Sequence, residues 1–349
     1  MRLPRSVEQA DVDDRVVLVR SDLNVPLEDG KVADDKRIRA SLPTVRLLLD
    51  RGLLEVRVCS HLGRPKTLED REKYSMAPVR NALQDLVGDL RVRVLENTRF
   101  DPGETKNDPS FARDLADGCD LFVEDAFGSV HRAHASTVGV AELLPSYAGL
   151  LLLDELRNLG QLLGDVERPF VIVSGGAKVE DKIAVLEHLG SRADDVLIGG
   201  KMAEDVRTAN PFSFDAVLPT DVVAASAFEP EAETQVTAFD ALPDGWLGLD
   251  IGPATAGDFA RRIAGARTVF WNGPMGVFEW PAFGAGTFAV ARALADCDGY
   301  TVVGGGDSVR AVHEAGVADR ISWISTGGGA SLELLEGKDL PGVAAIPSD

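Results

Sequence analysis

The sequence predicts an α/β protein of two Rossmann-like, three-layer α/β/α domains with parallel sheets, joined by an interdomain helix. Three observations carry this. Strand-length apolar runs recur along the chain, each followed by a turn rich in Gly, Asp or Ser and then an amphipathic stretch: RVVLVRSDLN, EVRVCSHLG, LFVEDAFG, PFVIVSGGAK, DVLIGG, WLGLDIGP, TVFWNGP, YTVVGGGDS and ISWISTGGG. Apolar runs of this type, separated by helix-length segments, belong to parallel strands covered on both faces. The length of 349 residues suits two domains. Between the halves, PSYAGLLLLDELRNLGQLLGDVERPF carries Leu150 to Leu153, Leu156, Leu159, Leu162 and Leu163. These are too many apolar positions for one narrow stripe, so a helix over 150–163 is expected to be buried on more than one side. The domains then cover 1–149 and 164–335.

In chain order, the first chemistry-bearing turn is RSDLNVP, where Asp22 and Asn24 stand two apart in an extended run and share one side. SHLGRP places His61 and Arg64 on the turn after the next strand, and DAFGSVHRAHAS crowds His131, Arg132 and His134 behind another. A His-x-x-His pair can bind metal, but no nearby Cys or acidic set completes a site, and Arg132 would repel a cation. Arginine forks suit carboxylate and phosphate through paired hydrogen bonds, so an anion site is the better reading.

In the second half, VSGGAKVEDK, LIGGKMAED, VVGGGDSVRAV and ISTGGGASLELLEG share a strand–glycine–helix form. None matches GxGxxG or GxxxxGK[ST], which disfavours a nicotinamide dehydrogenase. Each reads as a plain turn or as a place where backbone N–H groups meet a phosphate at a helix start. Lys178 and Lys182, four apart, would share a helix face and reach one anion, or else form a solvent-facing pair balanced by Glu180 and Asp181. Asp307 reads most simply as a helix cap, alternatively as a magnesium ligand beside a nucleotide phosphate. EPEAETQVTAFDALPDGW reads as surface strand and loop. In open parallel sheets ligands bind beyond the carboxyl ends of the strands, where Asp22, Asn24, His61, Arg64, Lys178, Asn272, Asp307 and the glycines fall.

The balance of 36 basic against 56 acidic residues gives a net charge of -20, which argues against nucleic acid or an anionic membrane as partner. Residues 1–150 hold 22 Lys/Arg and 26 Asp/Glu, residues 151–349 hold 14 and 30. Arg37, Arg39, His61, Arg64, Lys66, Arg99, His131, Arg132 and His134 in the first half are either solvated helix faces or the surface that takes a small anion. No stretch approaches the roughly 18 apolar residues of a membrane span, and MRLPRSVEQADVDD is polar where a signal peptide is apolar, so a cytoplasmic protein is expected. Cys59, Cys119 and Cys297 form no CxxC or Cys/His pattern and are expected to be reduced and semi-buried.

RSDLNVPL with DDKRIRASLPTV, SHLGRPK, LENTRFDPGETKND, DAFGSVHRAHAS, RPFVIVSGGAKVEDKI, LDIGPATAGDF, WNGPMGVFEWPAF, VVGGGDSV and STGGGASLELLEGKDLPGVAAI follow one another from near Arg15 to the C-terminus. Through them the chain resembles the phosphoglycerate kinases. The resemblance implies a two-domain kinase of glycolysis and gluconeogenesis that moves a phosphoryl group in line between 1,3-bisphosphoglycerate and ADP, giving 3-phosphoglycerate and MgATP. It implies that phosphoglycerate is bound by Asp22, Leu23, Asn24, Arg37, His61, Leu62, Gly63, Arg64, Arg99 and Arg132 of the N-terminal domain. ATP or ADP falls to Lys178, Lys182, Asn272, Glu279, Gly305, Gly306, Asp307 and Ser308 of the C-terminal one. Asp307 would hold Mg²⁺, Glu279 the ribose and Lys182 a nucleotide phosphate, with Arg37, Lys178, Gly306 and Gly328 around the transferring group. The resemblance also implies a monomer without nucleic-acid or membrane partners, and a segment 336–349 that packs back on the N-terminal domain. Hinge closure about the 150–163 helix, excluding water, follows from two sites on separate domains. Such chemistry asks for alignment and positive charge, not for a covalent nucleophile.

Three departures from the family pattern stand out. Only VRTANPFSFDAV separates GGKMAED from LPTDVV, where the family has a longer segment, and DLRVRVLENTRF follows almost directly on the helix ending near Gly88. Lys201 stands where the family has a third glycine, either crowding the base or adding a contact. The alternative these raise is a phosphoglycerate-binding regulatory relative with impaired nucleotide binding.

Overall fold

The computed structural model describes residues 2–177, 179–180 and 182–348. They divide into two compact units, Met1–Arg157 with Asp339–Asp349, and Asn158–Lys338.

In the first unit, β1 (Val16–Arg20), β2 (Glu55–Cys59), β3 (Val92–Val94), β4 (Leu121–Glu124) and β5 (Ser146–Ala148) form a parallel sheet in the order β3-β2-β1-β4-β5. Successive side chains of a strand face opposite ways. Val17, Val19, Val56, Val58 and Val123 therefore pack with Ile38, Val45 and Leu48 of α1 (Lys36–Asp50) and Val79 and Leu83 of α2 (Ala77–Val87). Leu18 and Phe122 pack on the other side with Ala112 and Leu115 of α3 (Pro109–Ala116). Both faces are covered, which is why the strands read as continuous apolar runs. Helix limits are set locally: Pro78 lies in the first turn of α2 and left-handed Gly88 ends it, while the Asp108 side chain accepts from Ser110 N at the start of α3. After β5 comes α4 (Leu150–Leu163), within which the division between the units falls; it buries Leu152, Leu153, Leu156, Leu159 and Leu162. The C-terminal segment is tied into this unit where Arg5 N donates to Pro347 O and Gly342 N to Val130 O, each at 2.9 Å.

The second unit runs through β6 (Phe170–Ser174), β7 (Asp195–Ile198), β8 (Asp221–Ala225), β9 (Thr234–Ala238), β10 (Leu247–Ile251), β11 (Thr268–Asn272), β12 (Tyr300–Gly304) and β13 (Trp323–Ile324). A parallel sheet has the order β13-β12-β11-β6-β7, and an antiparallel one the order β9-β8-β10. The helices are α5 (Ile183–Gly190), α6 (Gly200–Thr208), α7 (Pro253–Ala264), α8 (Ala285–Ala295), α9 (Gly306–Glu314) and α10 (Gly329–Leu335). Val171, Val173, Val269, Trp271 and Val303 pack with Phe259, Val290, Leu294 and Val312, and the opposite-facing Ile172, Phe270 and Val302 are buried too.

Two readings need correction. WLGLDIGP is antiparallel, not part of the parallel sheet; its partner β8 keeps Val223 half-buried and β9 beyond it is largely exposed, as in an antiparallel sheet with one face toward solvent. Lys182 is the N-cap residue of α5 and not part of the helix, so it presents no helix face, and Lys178 lies outside the described residues. Among the described residues no helix is long and apolar enough to cross a membrane. The cysteines are free, and burial pushes the Cys59 thiol up to about 12.

Candidate active site

The strand order of the first sheet reverses between β1 and β4, the place where open α/β sheets leave a crevice. Beyond β1, buried Leu23 anchors the chain and donates its N–H to Ser60 Oγ at 2.9 Å. On either side of it, Asp22 Oδ2 accepts from Arg37 Nη1 at 2.7 Å and Asn24 Oδ1 from Gly63 N at 2.8 Å. Gly63 has φ +60, and a Cβ there would lie 2.2 Å from the Tyr74 ring, so only glycine fits. Its carbonyl accepts from Arg99 Nη1 at 2.6 Å. Asn97 secures both turns: Oδ1 accepts from Leu62 N at 3.2 Å and Arg99 N at 3.1 Å, and Nδ2 donates to Leu62 O at 2.8 Å. The turns after β1, β2 and β3 are thus bonded to one another.

Arg64, Lys66, Arg71, Arg99, Lys106 and Arg132 line a cleft of about 650 Å³ whose one carboxylate is Asp101. Burial, then Arg132 and Arg20, pull Arg99 down to about 10. Burial, then Arg20, Arg99, Arg37 and Arg132, holds His61 well below the usual imidazole range. Cations gathered here with so little counter-charge favour an anion. Arg39, by contrast, is a solvated face residue paired with Asp35 at 2.8 Å. His131 Nε2 accepts from Arg132 Nε at 3.0 Å, and His134 Nδ1 lies 3.8 Å from Glu104. Among the described residues no group of three or more His, Cys, Asp or Glu is placed to hold a metal.

The second parallel sheet reverses between β6 and β11, and Gly175 and Gly273 follow those strands. Lys182 Nζ spans them, donating to Gly175 O at 2.5 Å and Asn272 O at 3.0 Å. Ser308 Oγ accepts from Gly273 N at 2.6 Å. Lys182, Asn272, Gly273, Gly305, Gly306, Asp307 and Ser308 line a cleft of about 320 Å³. Gly305 has φ +85, and a Cβ there would meet Asn272 Nδ2 at 2.8 Å. Asp307 is the second residue of α9, past the N-cap Gly305, and so is not the cap, which corrects the simpler reading of this residue. The first N–H groups of α9 are thereby left for an anion. One exposed carboxylate beside them suits a magnesium ion that brings phosphate oxygens as its other ligands.

Other carried-over residues sit elsewhere. Glu279 is outside this cleft's lining, with Oε1 3.6 Å from Arg310 Nη1. Gly328, at φ +54, precedes α10 and is not in the lining either. The Lys201 amine bonds Glu204 and lies 3.9 Å from Asp205 on its own helix, and it is not among the residues lining this cleft. In the short segment that follows, Phe212 and Phe214 stack at 5.1 Å, and Phe214 covers Gly190. Sequence reasoning passed over Arg20, Asn97, Glu104 and Ser136; only Arg20, a charge ending an apolar strand run, carried a readable signal.

The family model for phosphoglycerate kinase matches residues 7–94, 88–215 and 206–338. A phosphoglycerate kinase of Moorella thermoacetica is 48% identical over 388 residues, covering 98% of each chain. One of Rubrobacter xylanophilus is 49% identical over 386, with the same coverage. Those spans exceed the 349 residues here, so the relatives carry segments that this chain lacks. A solved structure of phosphoglycerate kinase from Coxiella burnetii superposes with TM-score 0.90 at 35% identity over 98% of both chains, and one from Pyrococcus horikoshii OT3 with TM-score 0.83 at 29% identity over 98% of both. With matches of this extent to sequence and fold alike, the chain belongs to the phosphoglycerate kinase family.

Proposed function

We propose that this protein transfers a phosphoryl group reversibly between 1,3-bisphosphoglycerate and ADP, giving 3-phosphoglycerate and ATP. The observation that carries the reading is the pairing of a cation-lined cleft on one unit with a glycine-lined, phosphate-sized cleft on the other. Phosphoglycerate binds to the first, its phosphate taken by Arg64, Arg99 and Arg132 and its carboxylate end directed by Asp22, Asn24, Arg37 and His61. The nucleotide binds to the second, with Lys182 and the first turn of α9 on its phosphates and Glu279 toward the ribose. Asp307 would hold Mg²⁺, which neutralises phosphate charge when bound. Lys178 and Gly328 stand beside the transferring group in this assignment.

In the direction of acyl-phosphate formation, a carboxylate oxygen of 3-phosphoglycerate forms a bond to the γ-phosphorus while the bond to the β-bridging oxygen breaks, and ADP leaves. The carboxylate is already ionised, so no strong base is needed. Arg37 and the backbone N–H groups supply positive charge where it develops on the equatorial oxygens. Ligands on separate units require closure about α4, and water exclusion protects the acyl phosphate from hydrolysis. Purified protein with 3-phosphoglycerate and MgATP is expected to release ADP. No turnover over a wide range of salt, together with calorimetric heat from phosphoglycerate but none from MgADP, would overturn the proposal.

A further inference from the structure

Arg20 ends β1 and is 1% exposed. Its guanidinium donates from Nε to Ser136 Oγ at 2.9 Å, from Nη1 to Ser21 O at 2.5 Å, and from Nη2 to His61 Nδ1 at 3.0 Å and Ser129 Oγ at 3.4 Å. Ser136 in turn donates to Glu104 Oε1 at 2.6 Å, which also accepts from Thr98 Oγ1 at 3.1 Å. The guanidinium is therefore held on three sides. It has donors only. The His61 nitrogen that it reaches must offer a lone pair, which leaves the single ring proton on Nε2.

We infer that Arg20 is a positioning residue that fixes His61 as a neutral imidazole protonated on Nε2, so that His61 serves phosphoglycerate as a hydrogen-bond donor and not as a cation. The part concerning substrate rests on the role proposed above for His61. A cationic His61 would make affinity change with pH where imidazoles ordinarily titrate, and a fixed neutral donor removes that dependence. The charged groups that act most strongly on His61 are Arg20 from β1, Arg37 from α1, Arg99 from the turn after β3 and Arg132 from the turn after β4, while the carboxylates bound to them, Asp22 on Arg37 and Glu104 through Ser136 on Arg20, have a smaller effect. All four arginines oppose its protonation, as burial does.

The first test is ¹⁵N-histidine NMR of the full-length protein without substrate, His61 being assigned by the resonances lost in His61→Asn. The expected spectrum has Nδ1 unprotonated and Nε2 protonated, unchanged from pH 8 to pH 5.5. A proton on Nδ1, or titration in that range, overturns the inference, and does so whether or not the proposed reaction holds. The second test is the KM for 3-phosphoglycerate of Arg20→Met and Arg20→Lys relative to the parent, so that the substrate's own titration divides out. Arg20→Met releases Nδ1 to take a proton, and its KM ratio is expected to fall about fivefold from pH 8 to pH 5.5, the difference between a neutral and a charge-assisted hydrogen bond. Arg20→Lys keeps a donor and is expected to hold a flat ratio. A flat ratio in Arg20→Met would leave Arg20 only a packing role. Should Arg20→Met fail to fold, the parent spectrum decides alone.

Discussion

Adjacent glycines at the start of α9 give a test of where phosphates lie. At Gly306 the backbone is outside the left-handed region, and no atom stands within 4 Å of the Cβ position. The folded chain therefore accepts Gly306→Ala, and the reduced freedom of the unfolded chain is expected to raise stability by about 0.4–1 kcal/mol. Gly305→Ala meets φ +85 and a contact of 2.8 Å with Asn272, for which backbone strain alone costs on the order of 1–3 kcal/mol. The two substitutions should thus move the calorimetric midpoint in opposite directions. In catalysis they should agree. If nucleotide phosphates lie against the first turn of α9, the Gly306 methyl occupies their space, and a displacement of about 1 Å costs on the order of 100-fold, or about 2.7 kcal/mol. The assay is kcat/KM for MgATP at saturating 3-phosphoglycerate, beside a melt of the same sample. A stable Gly306→Ala with undiminished kcat/KM would refute the placement of phosphates at this turn.

Arg37→Ala should lower kcat more than it raises KM for phosphoglycerate, because its charge is needed most as the transition state forms; steady-state kinetics with unchanged kcat would contradict this. Its thermal midpoint should fall as well, since the Asp22 carboxylate that it pairs with is only 11% exposed and loses its cation. Lys201→Ala should change the Kd for MgADP less than about twofold by calorimetry, because the amine is committed to Glu204 and Asp205. Asp250 is buried, accepts from Ile251 N and Gly286 N, and is pushed up to about 7, first by burial. Its folded value lies above its unfolded one, so its contribution to stability is full below the unfolded value and is lost as pH rises through about 7. The parent should melt lower at pH 8 than at pH 6, with a smaller difference in Asp250→Asn; Asp125, also raised to about 7, keeps part of the slope. Finally, added salt should raise KM for 3-phosphoglycerate more steeply than KM for MgATP, and equal slopes in initial-rate measurements would count against a division of charge between the two clefts.

The parts of this fold that were legible were those in which one physical demand dominated a stretch. Strands buried on both faces must be apolar throughout, so β1, β6, β11 and β12 announced themselves. The turns after them were marked by residues that fit poorly in a core. What escaped was what depends on partners distant in the chain. β9, which pairs with β8, is largely exposed, and β3 and β5 are three residues long, too short for a period. Asn97, Glu104 and Ser136 are polar residues in irregular stretches or short helical turns, and their meaning comes from bonds to Leu62, Thr98 and Arg20. Asp307 misled because a carboxylate near a helix start ordinarily caps it; here it stands two residues past the N-cap Gly305, too deep in the helix for that bond.

The two clefts favour anions by different means, and the division of charge explains why. The first unit gathers guanidinium groups around a buried network, whereas the second relies on backbone N–H groups, Lys182 and one exposed carboxylate. Residues 1–150 carry 22 basic against 26 acidic groups, and residues 151–349 carry 14 against 30. A strongly acidic half repels a bare polyanion, and a phosphate placed there needs its charge neutralised close at hand. A nucleotide arriving with magnesium would satisfy this condition, and in the proposed assignment Asp307 would then face a cation and not a naked phosphate. Phosphoglycerate brings no metal, so its charge has to be met by the protein, and the arginines stand in the half whose acidic excess is smaller. The two clefts therefore differ in the substitution each tolerates least: in the first, loss of a guanidinium; in the second, addition of a side chain where the backbone must come close.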